Sequence, residues 1–372
     1  MIETYEALIL HYAEIYLKSD YVKKQFERIL EQRIRYKLEK IGFLKPKIKW
    51  KHNSLWIMGT FTDDVIQYLA KTFGISYASP VIICEPTIPS IREAIEKCKT
   101  SILEKKPISF CVRAKKDKRI LLSHYSVEYE VSAYFQEWKV DLNNPELVIY
   151  LELKTSECCI YFEKITGPGG FPYGTQGKVV CLLSKGIDSP VAAYLMAKRG
   201  CEVIFLHMGT EKLTKIIDKF EMYAGKPIAY YSLDYQAFLA EIKNKQSGKY
   251  QCLLCKIGMY KIANYLAKQR KAKAIVTGEN LGQVASQTLT NLSTMESFSD
   301  LPVLRPLIGF DKIEIIHLAR KIGLFDLYVN PDCAFVPDSP STISTKMNLE
   351  ILMEHIGYLD ILETYLVKYT SS

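Results

Sequence analysis

The sequence predicts an α/β protein: a parallel, doubly wound sheet with a phosphate-binding loop, preceded by two smaller α+β units. Three observations lead there. From residue 178 onward, short apolar runs alternate with helix-length segments, as in the βαβ units of a parallel sheet. Within that region Val179-Val-Cys-Leu-Leu passes through Ser184-Lys185-Gly186-Ile187-Asp188-Ser189 into Pro190-Val-Ala-Ala, which reads as strand, small polar loop and helix. The Gly/Pro-rich stretch 166–177 reads as a linker between this region and an amino-terminal half in which strand and helix periods are mixed.

The elements follow in order. Tyr5 to Leu10 is an apolar strand, and Val22, Phe26, Ile29, Leu30, Ile34, Leu38 and Ile41 recur at helical spacing up to Gly42. Lys47 to Trp50 and Ser54 to Gly59 pair around His52-Asn53, giving a small α+β unit over 1–59. A second unit, 60–165, has helices at 63–71, 89–104 and 123–137, an extended run from Ile108 to Ala114, and one or two strands between Leu147 and Phe162. In 178–372 the order is strand 179–183, helix 190–199, strand 202–208, helix 210–224, strand 228–232, helix 235–243, helix 255–268 and strand 274–277. The last 25 or so residues, from Met347, are helical and could pack on any domain.

Composition bounds the function. A hydrophobic content of 48% over 372 residues supports several cores. The start lacks a basic leader and no apolar run reaches the roughly 18 residues of a membrane span, so a cytoplasmic protein is expected. Ten cysteines are too sparse for a secreted disulfide scaffold, and most read as reduced packing residues. The adjacent Cys158 and Cys159 must face opposite sides of a strand, which suits packing. The net charge of +8 divides as +4 over 1–177 and +4 over 178–372. Its densest run is Arg113, Lys115, Lys116, Lys118 and Arg119, with a second group at Arg33, Arg35, Lys37 and Lys40. Either could neutralise phosphates or simply be solvated.

The loop from Ser184 to Ser189 carries the chemistry. Small residues let backbone N–H groups approach an anion, and the helix behind, expected from Pro190, offers its positive end. The spacing is not that of a Walker A loop. It fits a pyrophosphate loop, Ser-Gly-Gly-x-Asp-Ser, with Lys185 in place of the first Gly. Lys185 could reach a phosphate or project into solvent, and would be strained if its site needs a positive φ. A second small polar loop, Thr277-Gly278-Glu279-Asn280-Leu281-Gly282-Gln283, follows the strand from Ala274. Two loops at adjacent strand ends make one crevice. Glu279, Gln283, Ser286, Gln287 and Thr288 could line it or cap the next helix. His207 ends its strand near the expected adenine site, where a lone histidine is more often structural than a ligand, and Met208 follows it.

Cys252-Leu-Leu-Cys255 opens a helix and Cys333 lies in Asn330-Pro-Asp-Cys-Ala-Phe-Val-Pro337. A helix amino terminus favours thiolate. By spacing, these cysteines suit a metal site or a Cys252–Cys255 redox pair about equally, with packing third; structural zinc lacks an obvious fourth ligand.

Together with Tyr12-Ala-Glu14-Ile-Tyr-Leu-Lys18, Phe73-Gly74-Ile75, Phe110-Cys-Val-Arg-Ala-Lys115 and Gly167 to Gly177, these motifs closely resemble the tRNA 4-thiouridine synthetase (tRNA sulfurtransferase) family, of the archaeal type without a rhodanese domain. The resemblance implies a ferredoxin-like domain at 1–59, a THUMP RNA-binding domain at 60–165 containing Arg113 to Arg119, and a pyrophosphate-loop catalytic domain at 178–372. It implies ATP held by Ser184 to Ser189, His207, Met208, Thr277, Gly278, Gly282 and Gln283. Asp188 would orient Mg²⁺ or the phosphates, and Lys312 would serve adenylation, with an exposed helix-start lysine as the alternative. Cys333 would be catalytic and, with Cys252 and Cys255, would hold an iron–sulfur cluster, [4Fe-4S] by analogy. Uridine at position eight of tRNA would be adenylated at its C4 oxygen and thiolated, with sulfide or a persulfide carrier as sulfur donor, in a possible homodimer. A thiamine role is not expected. A 2-thiolation enzyme of the same loop class and a non-catalytic RNA-binding protein are the alternatives.

Overall fold

The first strand forms as β1 (Ala7–Tyr12), and α1 (Asp20–Lys40) buries Phe26, Leu30, Ile34 and Leu38, the stripe its spacing defines. In this computed structural model the described residues are 5–51, 53–103, 107–135, 137–245, 247–329 and 333–370; for 99–103 and 366–370 the description covers the backbone only. Two compact units result, Met1–Phe171 and Pro172–Ser372.

In the first unit β2 (Ile48–Lys51) and β3 (Ser54–Met58) pair antiparallel, turning at Asn53 with φ +60°. Asn tolerates that conformation better than most residues. Then come α2 (Asp63–Ala70), β4 (Ile75–Cys84), α3 (Ile88–Leu103), β5 (Ser109–Lys116), α4 (His124–Ser132), β6 (Lys139–Val140), β7 (Leu147–Leu153), β8 (Cys158–Tyr161) and β9 (Ile165–Thr166). They form one sheet in the order β2-β3-β1-β4-β8-β7-β5-β6, with β9 beside β4.

Sequence periodicity does not reveal β4, the strand that joins the two halves of this sheet. It pairs with β1 through Val81 and with β8 from Ile82. Pro80 interrupts the strand signal, yet it is accommodated. Its missing N–H falls on the edge between the pairings to β9 at Tyr77 and Ala78 and to β8 at Ile82. Cys158 and Cys159 are both buried, in separate clusters on opposite faces, as their adjacency requires.

The positive group on α1 needs correction. Lys37 is fully buried, and its ammonium donates to Lys71 O at 3.0 Å, to Thr72 Oγ1 at 2.9 Å and to Tyr68 O, closing the carbonyl end of α2. Arg35 pairs with Glu31 at 2.7 Å. Lys37 therefore serves the fold rather than a phosphate.

The second unit runs β10 (Lys178–Leu183), α5 (Asp188–Lys198), β11 (Glu202–His207), α6 (Thr214–Ala224), β12 (Ala229–Ser232), α7 (Gln236–Asn244), α8 (Gln251–Arg270), β13 (Ile275–Val276), α9 (Leu289–Glu296), β14 (Val303–Leu304), α10 (Lys312–Lys321), α11 (Lys346–His355) and α12 (Tyr358–Thr370). Its strands are parallel in the order β12-β11-β10-β13-β14. The order reverses at β10, where the chain goes to β11 on one side and later to β13 on the other. That is the switch point at which such sheets bind ligands. The final helices pack on this unit: Tyr358, Ile361 and Leu362 join the core that holds α7 and α8. Among the described residues no helix is long and apolar enough to cross a membrane.

Candidate active site

From Leu183 the chain turns through Ser184 to Ile187 into α5. Ser189 closes the turn: its Oγ accepts from Ser184 N at 2.8 Å and lies 2.9 Å from Ser184 Oγ, which accepts from Gly186 N at 3.2 Å. The helix starts at Asp188, so Pro190 takes its third position, not its first. A missing N–H is harmless there too, because the first turn's donors have no intrahelical partner. No side chain caps α5, which leaves its positive end facing the loop. Lys185 lies outside the left-handed region and carries no backbone strain. Ile187 is buried in the core, so only its backbone belongs to the loop.

The second loop presses on the first. A Cβ at Gly278 would come within 2.6 Å of Ser189 N and 2.8 Å of the Asp188 carbonyl carbon, so only glycine allows this approach. Gly278→Ala must separate the loops, and a displacement of this kind is expected to lower ATP-dependent turnover by about 100-fold. Steady-state pyrophosphate release with a parallel thermal melt measures it; unchanged turnover in a folded variant would mean the contact is dispensable.

Asp188 is the meeting point. Lys312 Nζ lies 2.7 Å from Asp188 Oδ1, and Gln283 Nε2 donates to Oδ2 at 3.4 Å. Lys312 opens α10, capped by Asp311 with Glu314 in a capping box, so it is a helix-start lysine whose ammonium nonetheless reaches the loop. Gly282 N donates to Gln287 O at 2.9 Å, and Thr288 caps α9 through Asn291 N at 3.2 Å. Capping is thus what Thr288 does.

Glu279 does more than line a crevice. It is buried and accepts from Lys256 at 2.7 Å, Tyr260 at 2.9 Å, Thr277 at 3.0 Å and Arg305 at 2.8 Å. Burial alone would raise its pKa, but the charges of Lys256 and Arg305 outweigh it and bring the value to about 2. The second loop is thereby pinned to α8 and to the end of β14. Lys256 and Arg305 were not legible as site residues, because the cluster spans 49 positions of sequence (256 to 305) and forms only in the fold.

His207 is buried at the end of β11, its Nδ1 2.9 Å from Leu183 O. Its Nε2 lies 3.3 Å from Glu211 Oε1, and Lys185 Nζ reaches the same oxygen at 2.6 Å. Lys185 is therefore paired with a carboxylate of its own chain. Met208 packs partly buried against the core.

The Cys252–Cys255 pair lies near the start of α8. Tyr235 donates to Cys255 O at 2.8 Å and Tyr358 to Leu254 O at 2.5 Å, an approach of two hydroxyls that Gly258 permits by having no side chain. All ten cysteines are free. The expectation of thiolate-favouring positions at the start of α8 fails: burial first, and then the charge of Cys333, raise the pKa of both Cys252 and Cys255. Desolvation and like charge both oppose the helix-end effect. Among the described residues no three His, Cys, Asp or Glu side chains are gathered as a metal-holding group. Cys333 itself is exposed. Its segment is tied to the loop at Val329, four residues earlier, whose N–H donates to Lys185 O at 3.0 Å, and Phe335 packs against the same core as Cys255. Residues 330–332 lie outside the described residues.

In the first unit Arg113, Lys115 and Lys116 ride on β5, with Lys118 and Arg119 just beyond. Arg113 donates to Leu142 O at 2.9 Å, Lys116 to Ile120 O at 2.8 Å, and Arg119 pairs with Asp117 at 3.0 Å. Lys115 and Lys118 are exposed.

Residues 174–357 match the family model described as thiamine biosynthesis protein (ThiI), 7–79 the ThiI ferredoxin-like domain and 85–163 the THUMP domain. A probable tRNA sulfurtransferase of Methanothermobacter thermautotrophicus is 38% identical over 98% of this chain and 96% of its own. The chain belongs to the tRNA sulfurtransferase family. A probable tRNA sulfurtransferase of Methanobrevibacter smithii is 39% identical over 91% of this chain and 92% of that one. Among solved structures, a 4-thiouridine synthetase in complex with RNA and with bound ATP has a TM-score of 0.85 and 31% identity, covering 96% of each chain. The expected fold class, ferredoxin-like and THUMP domains ahead of a pyrophosphate-loop domain, is that of this family of sulfurtransferases.

Proposed function

We propose that the protein is an ATP-dependent tRNA sulfurtransferase that forms 4-thiouridine at position eight of tRNA, with ATP in the crevice between the loops after β10 and β13. The observation that carries this reading is the contact of Gly278 with Asp188 and Ser189 at the switch point, with Lys312 paired to Asp188. The phosphates lie on Ser184 to Ser189, with His207, Met208, Thr277, Gly278, Gly282 and Gln283 around the nucleoside. Uridine C4 oxygen attacks the α-phosphorus and pyrophosphate leaves. Oxide is a very poor leaving group and AMP a good one, so this step is what permits sulfur to add at C4. Lys312 and the α5 amino terminus meet the charge that develops on the phosphoryl oxygens. Asp188 is the residue that would hold Mg²⁺, which supplies further neutralisation of the phosphates.

Cys252, Cys255 and Cys333 would hold an iron–sulfur cluster, [4Fe-4S] by family resemblance, which when bound supplies sulfur to the activated carbon. The donors suit such a group in chemistry: after burial, the charge of Cys333 raises the pKa of both Cys252 and Cys255, and a cationic centre reverses that effect. α8 carries this cysteine pair and, through Lys256, the second ATP loop. Sulfide or a persulfide carrier is the donor.

The ferredoxin-like part (1–59) and the THUMP part (60–165) grip tRNA by shape and backbone, Lys115 and Lys118 directly and Arg113, Lys116 and Arg119 after exchanging their present partners. The stretch 166–177 links them to the catalytic part, 178–372. A homodimer acting in the cytoplasm completes the reading. Anaerobic incubation with unmodified tRNA, ATP and sulfide, followed by nucleoside mass spectrometry, tests it. 4-Thiouridine at position eight supports the proposal; 2-thiouridine, or binding of RNA without any thiolation, overturns it.

A further inference from the structure

Lys185 occupies the position where a phosphate loop most needs a small residue, and its ammonium is held 2.6 Å from Glu211 Oε1. Glu211 is itself set in place: the same oxygen lies 3.3 Å from His207 Nε2, and Tyr230 donates to its main-chain carbonyl at 2.8 Å. Both partners of the ion pair are 42% exposed, so water screens it and it is weakly held. A polyphosphate on the loop carries several negative charges against the single one of Glu211. It also lies within reach of a flexible four-carbon stem rooted in the loop itself.

We propose that Glu211 is a built-in competitor for the phosphates of ATP, a latch that holds the Lys185 ammonium while the loop is empty and yields it to the β- and γ-phosphates when nucleotide binds. The inference rests on ATP occupying the crevice between the two loops. Lys185 is then a substrate-binding residue, and Glu211 a positioning residue that acts through it. When pyrophosphate separates from the α-phosphate, its charge is concentrated on the group that Lys185 holds. Recapture of the ammonium by Glu211 weakens that hold and speeds departure of the product. The pair thereby makes the loop selective for the polyphosphate over adenosine without trapping the pyrophosphate it makes. The Val329 N–H on Lys185 O keeps the loop backbone in place while the side chain changes partner.

The test is calorimetric titration of the whole protein with ATP, inorganic pyrophosphate and adenosine, at fixed ionic strength. Glu211→Gln is expected to tighten ATP and pyrophosphate about three- to fivefold, the size of an exposed ion pair. It should leave adenosine within about twofold and strengthen product inhibition by pyrophosphate. Lys185→Gln should weaken ATP about tenfold. Adding Glu211→Gln to it should change nothing further, since the latch then has nothing to hold. Glu211→Asp should restore wild-type behaviour in part. Equal ATP affinity in wild type and Glu211→Gln, or additive effects in the double variant, would overturn the latch. Failure of the wild type to bind ATP at all would instead overturn the assignment of the crevice.

Discussion

Cys333→Ser is expected to abolish 4-thiouridine formation, by a factor of at least about 1,000, while tRNA-dependent pyrophosphate release continues near the wild-type rate. The reason is chemical. A serine hydroxyl can neither carry sulfane sulfur nor act as a soft ligand, and it does not ionise near neutral pH. The residue is exposed and its segment is anchored elsewhere, through Val329 and Phe335, so the exchange of one atom should leave the fold and the ATP loops intact. Separate assays of pyrophosphate and of thiolated nucleoside distinguish the half-reactions. Loss of both together would mean that Cys333 supports adenylation or the fold; retention of both would remove it from the chemistry.

Lys312→Met should strike the other half. The ammonium is 2.7 Å from Asp188 and rides on the first residue of a well-capped helix, so its position is fixed by α10 rather than by a mobile loop. Removing it leaves Asp188 with Gln283 alone and takes away a positive charge at the proposed site of adenylyl transfer. A drop in pyrophosphate release of about 100- to 1,000-fold follows, the usual range for a lost transition-state donor. ATP affinity should change far less, and Lys312→Arg should restore part of the rate. Equal losses in ATP affinity and rate would instead describe a residue that only binds.

These two expectations start from residues legible in the sequence, and the reason is local. A strand followed by small polar residues and a helix writes its pattern in contiguous positions, so both loops and the alternation behind them could be read directly. What escaped reading was tertiary. β4 is hidden because Pro80 breaks its pattern, and its tolerance depends on which neighbouring edge lacks a partner. Lys37 reads as part of a solvated basic face, yet its stem crosses to the carbonyl end of α2. Glu279 reads as lining or capping, whereas Lys256 and Arg305 make it an internal charge anchor. Cys252 and Cys255 sit where a helix end favours thiolate, but burial and a third cysteine distant in sequence push the other way. Lys185 was legible as an exception; its partner, 26 positions later and four residues past the end of the neighbouring strand, was not.

The central claim is that one crevice both activates the uracil carbonyl and receives sulfur, and a single-turnover reaction with α-³²P-labelled ATP and sulfur withheld tests it most directly. The account predicts label joined to tRNA as an AMP ester at uridine eight in step with pyrophosphate release, then discharged as free AMP while 4-thiouridine appears on adding sulfide. Thiolation that proceeds with no label ever reaching tRNA and no pyrophosphate formed would contradict it.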